Sequence, residues 1–105
     1  MSDKEVFHTI KTTVHTFLPD ARVLLFGSRA TGKFHSNSDY DLLVVTEKTY
    51  RAKTKLNWKS TIHHALVNAL ELPFDILMNS EKEIASKKEL QGHIVRFAIK
   101  DAIEI

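Results

Sequence analysis

Two aspartates, two positions apart, are the residues of this chain with the clearest capacity for chemistry. Asp39 and Asp41 open the apolar segment DYDLLVVT, whose β-branched character predicts a strand over residues 39–46. Side chains at positions i and i+2 of a strand share a face, with Cα atoms about 7 Å apart, so both carboxylates can converge on one site. Such acids repel each other unless a cation lies between them, and Mg²⁺ favours carboxylate oxygens. The pair therefore predicts a magnesium site.

A third acid lies in another apolar run. Asp75 interrupts PFDIL, where a solitary charge is costly without a cation or a partner. In phosphoryl transfer, two divalent ions about 4 Å apart can stabilise the attacking and leaving oxygens. A third carboxylate can bind the second ion and help to deprotonate the attacking hydroxyl. We therefore predict Asp39, Asp41 and Asp75 as catalytic and metal-binding residues, although Asp75 could instead be a strand-edge charge that reaches solvent or an arginine.

The segment before the acids is suited to phosphate binding. Gly27 and Ser28 follow the apolar run RVLLF, and ten residues separate them from Asp39. A glycine at a strand end lets backbone N–H groups approach a triphosphate closely, and a serine hydroxyl adds a donor. Arg29 and Lys33 are on the same loop and could neutralise a leaving pyrophosphate. These four residues are the predicted nucleotide-binding set.

The same loop nearly matches a second phosphate-binding pattern. Gly27 to Lys33 reads G-x-x-x-x-G-K, the fingerprint of a P-loop after a strand. Position 34, however, is Phe rather than the Ser or Thr that binds magnesium, and turn residues and a strand follow where a P-loop needs a long helix. The metal-pair interpretation is therefore favoured over a P-loop.

The elements that position these residues can be read from hydrophobic periodicity and capping signals. Ser2 with Glu5, and Ser80 with Glu83, have the form of capping boxes. The pattern predicts a first helix that stops at Pro19, a loop over 27–38 with one helical turn, a long amphipathic helix over about 50–72, and a helix beginning after Ser80. Strands are predicted at 22–26, 39–46 and 74–78, with a short final strand at 102–105.

This order predicts an α/β fold in which a small mixed β-sheet is flanked by helices. With 105 residues the chain has room for a single domain, 1–105. It contains no cysteine, so we expect a cytoplasmic protein. It has no long apolar run, so we expect no membrane span. Its formal net charge of +2 is too small to indicate direct nucleic-acid binding.

The segment GSRATGKFHSNSDYDLLVV resembles the signature of the DNA polymerase beta-like nucleotidyltransferase superfamily. In its ten-residue spacer and short length the chain is similar to the minimal nucleotidyltransferases of bacteria and archaea, many of which are antitoxin partners of HEPN-domain toxins. The resemblance implies a polymerase beta palm-like fold, phosphate binding by Gly27 and Ser28, two Mg²⁺ ions on Asp39 and Asp41, and Asp75 as the third acid.

The resemblance also implies an activity: transfer of AMP from ATP to a hydroxyl, with a tyrosine of a HEPN toxin as the acceptor. A second copy of the chain or another protein would complete the acceptor site. Leu43 and Val45 share strand parity with the acids and would form an interface if the chain's own helices leave them uncovered. Two alternatives remain: a non-catalytic antitoxin that neutralises its partner by contact, and a transferase for small molecules such as aminoglycosides.

Overall fold

The helices and strands come from a computed structural model that describes residues 1–90 and 92–105. They confirm a mixed sheet flanked by helices and follow the predicted order, except that Ile94–Lys100 forms a further helix that was not predicted. In chain order, the elements are α1 (Asp3–Phe17), β1 (Arg22–Phe26), α2 (Ser28–Thr31), β2 (Tyr40–Thr46), α3 (Ala52–Leu70), β3 (Phe74–Ser80), α4 (Glu81–Lys87), α5 (Ile94–Lys100) and β4 (Ile103–Glu104).

The sheet has the strand order β3-β2-β1-β4. β1 runs antiparallel to β2 and β4, whereas β2 and β3 run parallel. In this register Asp41 pairs with Phe26 of β1 on one side and with Asp75 of β3 on the other. The start of β2, the start of β3 and the end of β1 therefore meet at one end of the sheet.

One face of the sheet packs against α1 and α3. Ile10 of α1 and Ile62 of α3 are fully buried against Leu42 of β2 in the larger hydrophobic core. Each side chain of this size contributes about 1.5–3 kcal/mol when it is completely removed from water. The amphipathic spacing that predicted both helices therefore reflects a shared contact surface on this face of the sheet.

The opposite face of the sheet is covered by α4 and α5. Leu43 and Val45 have exposed fractions of 0% and 1%, and they form a second core with Leu24 and Ala98, with Ile84 packed against it. The chain's own helices therefore cover Leu43 and Val45, and the condition under which they would form an interface is not met. The C-terminal third of the chain supplies the cover, and β-strand parity alone could not reveal it.

Element boundaries follow local chemistry. Both predicted capping boxes are present, since the Ser2 and Ser80 side chains accept hydrogen bonds from the N–H groups of Glu5 and Glu83. α3 ends at Leu70, two residues before the predicted end, because Glu71 adopts a left-handed conformation with φ 54°. β3 continues to Ser80, which is both the last strand residue and the N-cap of α4. No helix among the described residues is long and apolar enough to cross a membrane.

Candidate active site

Three acidic side chains lie at the end of the sheet where β2 and β3 begin. Asp41 and Asp75 are aligned in the parallel register, so their side chains share a face of the sheet. Asp39 directly precedes β2 and is exposed, as is Asp75, whereas Asp41 is half-buried. The structure thus places Asp41 and Asp75 side by side on adjacent strands, and Asp39 lies two residues before Asp41.

The electrostatics of this cluster are unfavourable in the absence of a cation. Burial raises the pKa of Asp41, and the negative charges of Asp75 and Asp39 raise it further. Both neighbours must therefore be close enough for their charges to be felt at Asp41. Burial is thus the larger cause of the raised pKa of Asp41, and the two neighbouring carboxylates add to it. A bound cation would relieve this repulsion.

Gly27 provides the close packing beside Asp41. Its backbone has φ 72° and ψ −156°, a region that is essentially restricted to glycine. A Cβ atom built at this position would collide with the Asp41 carboxylate. The glycine is thus required both for the turn and for the approach of the carboxylate to the backbone.

The turn continues into the single helical turn α2. The N–H groups of Ala30 and Thr31 donate to the Gly27 carbonyl at 3.1 and 3.3 Å. The turn ends at Gly32, which is left-handed with φ 80°. A loop and then β2 follow, so the segment lacks the long helix that a P-loop would require.

The two basic residues of this loop have different environments. Lys33 is exposed and forms no ion pair with any residue that the structure describes. The Arg29 guanidinium donates to the Ser38 carbonyl from Nε at 3.3 Å and from Nη2 at 3.1 Å. Its central carbon lies 4.4 Å from the ring centroids of both Phe34 and Tyr40. These aromatic partners were not predicted from the sequence, although an arginine near two aromatic residues was a usable signal.

The chain also matches a known family over most of its length. A family model described as polymerase beta, nucleotidyltransferase matches residues 9–99. The chain belongs to the polymerase beta nucleotidyltransferase family. The family predicted from Gly27, Ser28 and the aspartates is therefore confirmed.

Solved structures agree with the nucleotidyltransferase fold. A minimal nucleotidyltransferase is 21% identical, covers 100% of this chain and 97% of its own, and superposes with a TM-score of 0.67. A chain from a toxin–antitoxin complex with AMP-PNP is 18% identical, with 93% and 70% coverage and a TM-score of 0.66. A chain from the Shewanella oneidensis complex of a tri-AMPylated HEPN toxin with its MNT antitoxin is 13% identical, with 98% and 71% coverage and a TM-score of 0.59. No curated protein sequence matches this chain.

Nucleotidyltransferases of this family generally use Mg²⁺ and a nucleoside triphosphate, and the donor set of this site fits such ions. Asp39, Asp41 and Asp75 offer hard carboxylate oxygens, and burial together with the charges of Asp75 and Asp39 raises the pKa of Asp41. In the part of the chain that the structure describes, no three His, Cys, Asp or Glu side chains are already gathered as a metal cage. Magnesium tolerates such an open site because it usually keeps waters and takes ligands from substrate phosphates.

Proposed function

We propose that residues 1–105 form a minimal nucleotidyltransferase domain that transfers AMP from ATP to a protein hydroxyl. The observation that carries this proposal is the alignment of Asp41 with Asp75 beside the Gly27 turn, with Asp39 adjacent. A structural role alone would not favour three mutually repelling acids in one place, because their repulsion opposes folding.

Gly27, Ser28 and Lys33 bind the triphosphate in this proposal. The Gly27 conformation allows the backbone to approach phosphate oxygens, and Ser28 begins the helical turn, where its hydroxyl can donate. Lys33 is exposed and its ammonium group can reach the departing pyrophosphate. These groups hold the leaving group while the α-phosphorus faces the acids.

The transfer itself forms one bond and breaks one. The acceptor oxygen attacks the α-phosphorus, the bond from that phosphorus to the bridging oxygen of the β-phosphate breaks, and pyrophosphate leaves with that electron pair. Asp75 accepts the hydroxyl proton, a role that suits an exposed carboxylate at the start of an edge strand. Mg²⁺ held by Asp39, Asp41 and Asp75 would stabilise the charge on the attacking and leaving oxygens.

The proposed acceptor is a tyrosine of a HEPN-domain toxin, whose modification would silence the toxin. Support comes from similar folds in toxin–antitoxin complexes, one of which contains a tri-AMPylated HEPN toxin. Both cores of this chain are occupied by its own helices, so the acceptor must come from another molecule at the exposed end of the sheet. The reaction would take place in the cytoplasm, where ATP and Mg²⁺ are available.

The test combines the chain with a HEPN-domain protein as the proposed partner, Mg²⁺ and each of the four nucleoside triphosphates in turn. Intact mass measurement then follows both proteins. We expect AMP adducts on the partner with ATP, mapped by peptide sequencing to tyrosine. The double variant Asp39→Asn with Asp41→Asn should form no adducts. Asp20→Asn is the matched control, because Asp20 is exposed in the turn between α1 and β1, at the other end of the sheet.

Two results would refute the proposal. Adducts that persist in the double variant would remove the aspartates from the chemistry. A stable complex that gains no adduct with any nucleotide, while the partner's ribonuclease is inhibited, would support neutralisation by contact instead.

A further inference from the structure

The guanidinium of Arg29 contacts the protein through both of its faces and through Nε and Nη2. It lies between the Phe34 and Tyr40 rings, 4.4 Å from each centroid. It also donates twice to the Ser38 carbonyl and once, at 3.5 Å, to the Ser36 carbonyl. Planar guanidinium groups are suited to such stacked and forked contacts, and each contact orients the group away from other ligands.

Two partners of Arg29, Ser38 and Tyr40, adjoin the aspartates in the sequence. Ser38 immediately precedes Asp39, and Tyr40 lies between Asp39 and Asp41. Because side chains alternate along a strand, the Tyr40 ring occupies the opposite face of the sheet from the acids. There it packs at 5.6 Å on the ring of Phe74, the residue before Asp75.

The backbone reinforces this connection. The Tyr40 N–H donates to the Pro73 carbonyl at 2.9 Å, which fixes the start of β2 against the start of β3. Arg29 therefore contacts one side of a continuous packed unit whose other side carries all three acids. A shift of the guanidinium would be transmitted to the backbone of residues 38–40.

We propose that Arg29 is a positioning residue that holds residues 34–40 in place and thereby sets the geometry of Asp39 and Asp41. This inference rests on the proposed function for its kinetic consequences. It replaces the expectation that Arg29 neutralises pyrophosphate, and it leaves that role to the exposed Lys33. Both planar faces and the N–H groups of Nε and Nη2 are occupied, so only Nη1 is left to contact a phosphate.

The kinetic test compares Arg29→Gln with Arg29→Lys. Lysine keeps the charge that a phosphate needs but loses the planar stack and the forked donors. We expect kcat to fall about 100-fold in Arg29→Gln and about tenfold in Arg29→Lys, with KM for ATP little changed, because small misplacements of reacting groups are costly. The Mg²⁺ concentration for half-maximal rate should rise in both variants.

The Phe34→Leu variant gives a second, independent measurement. Phe34 is exposed and lies away from the acids on the sequence, so its ring acts on catalysis through Arg29. Phe34→Leu should lower kcat in the same direction as Arg29→Gln but less. The double variant should be no worse than Arg29→Gln alone, because both substitutions remove one unit.

Limited proteolysis provides a readout that needs no transferase activity. Lys33 lies in the exposed loop, and trypsin cleavage after it reports local opening. Loss of two cation–π contacts should speed this cleavage about tenfold in Arg29→Gln. Arg22→Gln is the control: Arg22 is at the opposite end of β1, where it pairs with Glu81 and Glu104. It should change cleavage and kcat by less than about twofold.

The outcomes separate the two proposals. If Arg29→Gln raised the KM for ATP but kept kcat, and Arg29→Lys kept wild-type kinetics, the positioning role would be overturned in favour of phosphate binding. Unchanged kinetics and unchanged cleavage at Lys33 would overturn it as well. If the wild-type protein transfers no nucleotide, the proposed function fails, while faster cleavage of Arg29→Gln would still support the contact of Arg29 with residues 34–40.

Discussion

The two ends of the sheet treat acidic side chains in opposite ways. At one end, Arg22 lies 2.6 Å from Glu81 and 3.1 Å from Glu104, and Lys55 lies 2.8 Å from Glu83. At the other end, Asp39, Asp41 and Asp75 form no ion pair with any residue in the described ranges. The same small fold therefore pairs Glu81, Glu83 and Glu104 with basic side chains and leaves the three clustered aspartates to repel one another.

The pKa values reflect this contrast. Burial opposes ionisation of Glu83, but hydrogen bonds from Lys55 and the Ser80 N–H, with the charges of Lys55 and Lys87, bring its pKa below the ordinary value. Burial and two neighbouring carboxylates raise the pKa of Asp41. Paired acids stabilise a fold, whereas clustered unpaired acids weaken it until a cation binds. The difference supports placing the proposed site at the end of the sheet that carries the three aspartates.

The largest expected effect comes from removing one charge at the unpaired end. Asp75→Asn keeps the shape of the side chain but removes the proposed metal ligand and proton acceptor. We expect the transfer rate to fall about 1,000-fold, within the range for general base catalysis, while the thermal midpoint does not decrease. Rapid-quench measurement of partner modification gives the rate, and calorimetry gives the midpoint.

The matched control for Asp75 is the same chemical change at the paired end. Glu81→Gln removes a charge that bonds Arg22 on the surface. It should leave transfer within about twofold of wild type, because exposed ion pairs contribute little. A comparable loss of activity in both variants would show that the contrast between the two ends has no catalytic meaning.

Much of this architecture could be predicted from the sequence because its determinants are local. Capping boxes at Ser2 and Ser80 fixed helix starts, and the apolar runs gave β1, β2 and β3. Gly27 could be identified as a strand-end turn because few other residues adopt its backbone conformation. These signals each span only a few residues.

Long-range packing could not be predicted in the same way. The burial of Leu43 and Val45 depends on α5, about 50 residues further along the chain, and parity along β2 says nothing about what lies above it. The stacking of Arg29 between Phe34 and Tyr40 depends on how the loop folds back over residues 34–40. The charge of Arg29 was known from its residue type, but only the tertiary contacts show that its guanidinium lies between Phe34 and Tyr40.

A smaller effect is expected where the acid is paired. Glu83→Gln keeps an oxygen that can accept from the Ser80 N–H but leaves the mostly buried Lys55 without its carboxylate. We expect a loss of about 1 kcal/mol in the free energy of unfolding at pH 7, measured by urea denaturation. The lowered pKa means that this stabilisation is complete above the ordinary value of 4.5 and is lost as the pH falls through the folded-state value.

The exposed Glu89 provides the control for Glu83. Glu89→Gln should change the free energy of unfolding by less than about 0.5 kcal/mol at pH 7. Equal effects of the two substitutions would mean that the pairing of Glu83 with Lys55 does not stabilise the fold.

The smallest expected effect has the opposite sign and concerns Asp41. Because the fold raises the pKa of Asp41 above 3.8, the folded state favours the protonated carboxyl, and stability falls as the pH rises through the folded-state value. Asp41→Asn should therefore raise the thermal midpoint at pH 7 by about 2 °C while it abolishes transfer. The gain should vanish below pH 3.8, where Asp41 is neutral in both states.

Mg²⁺ with ATP should stabilise the wild type but not the variant, since a ligand stabilises only the state that binds it. A variant less stable than wild type at pH 7 without Mg²⁺ would mean that Asp41 is held by a partner, and that the two ends of the sheet do not differ.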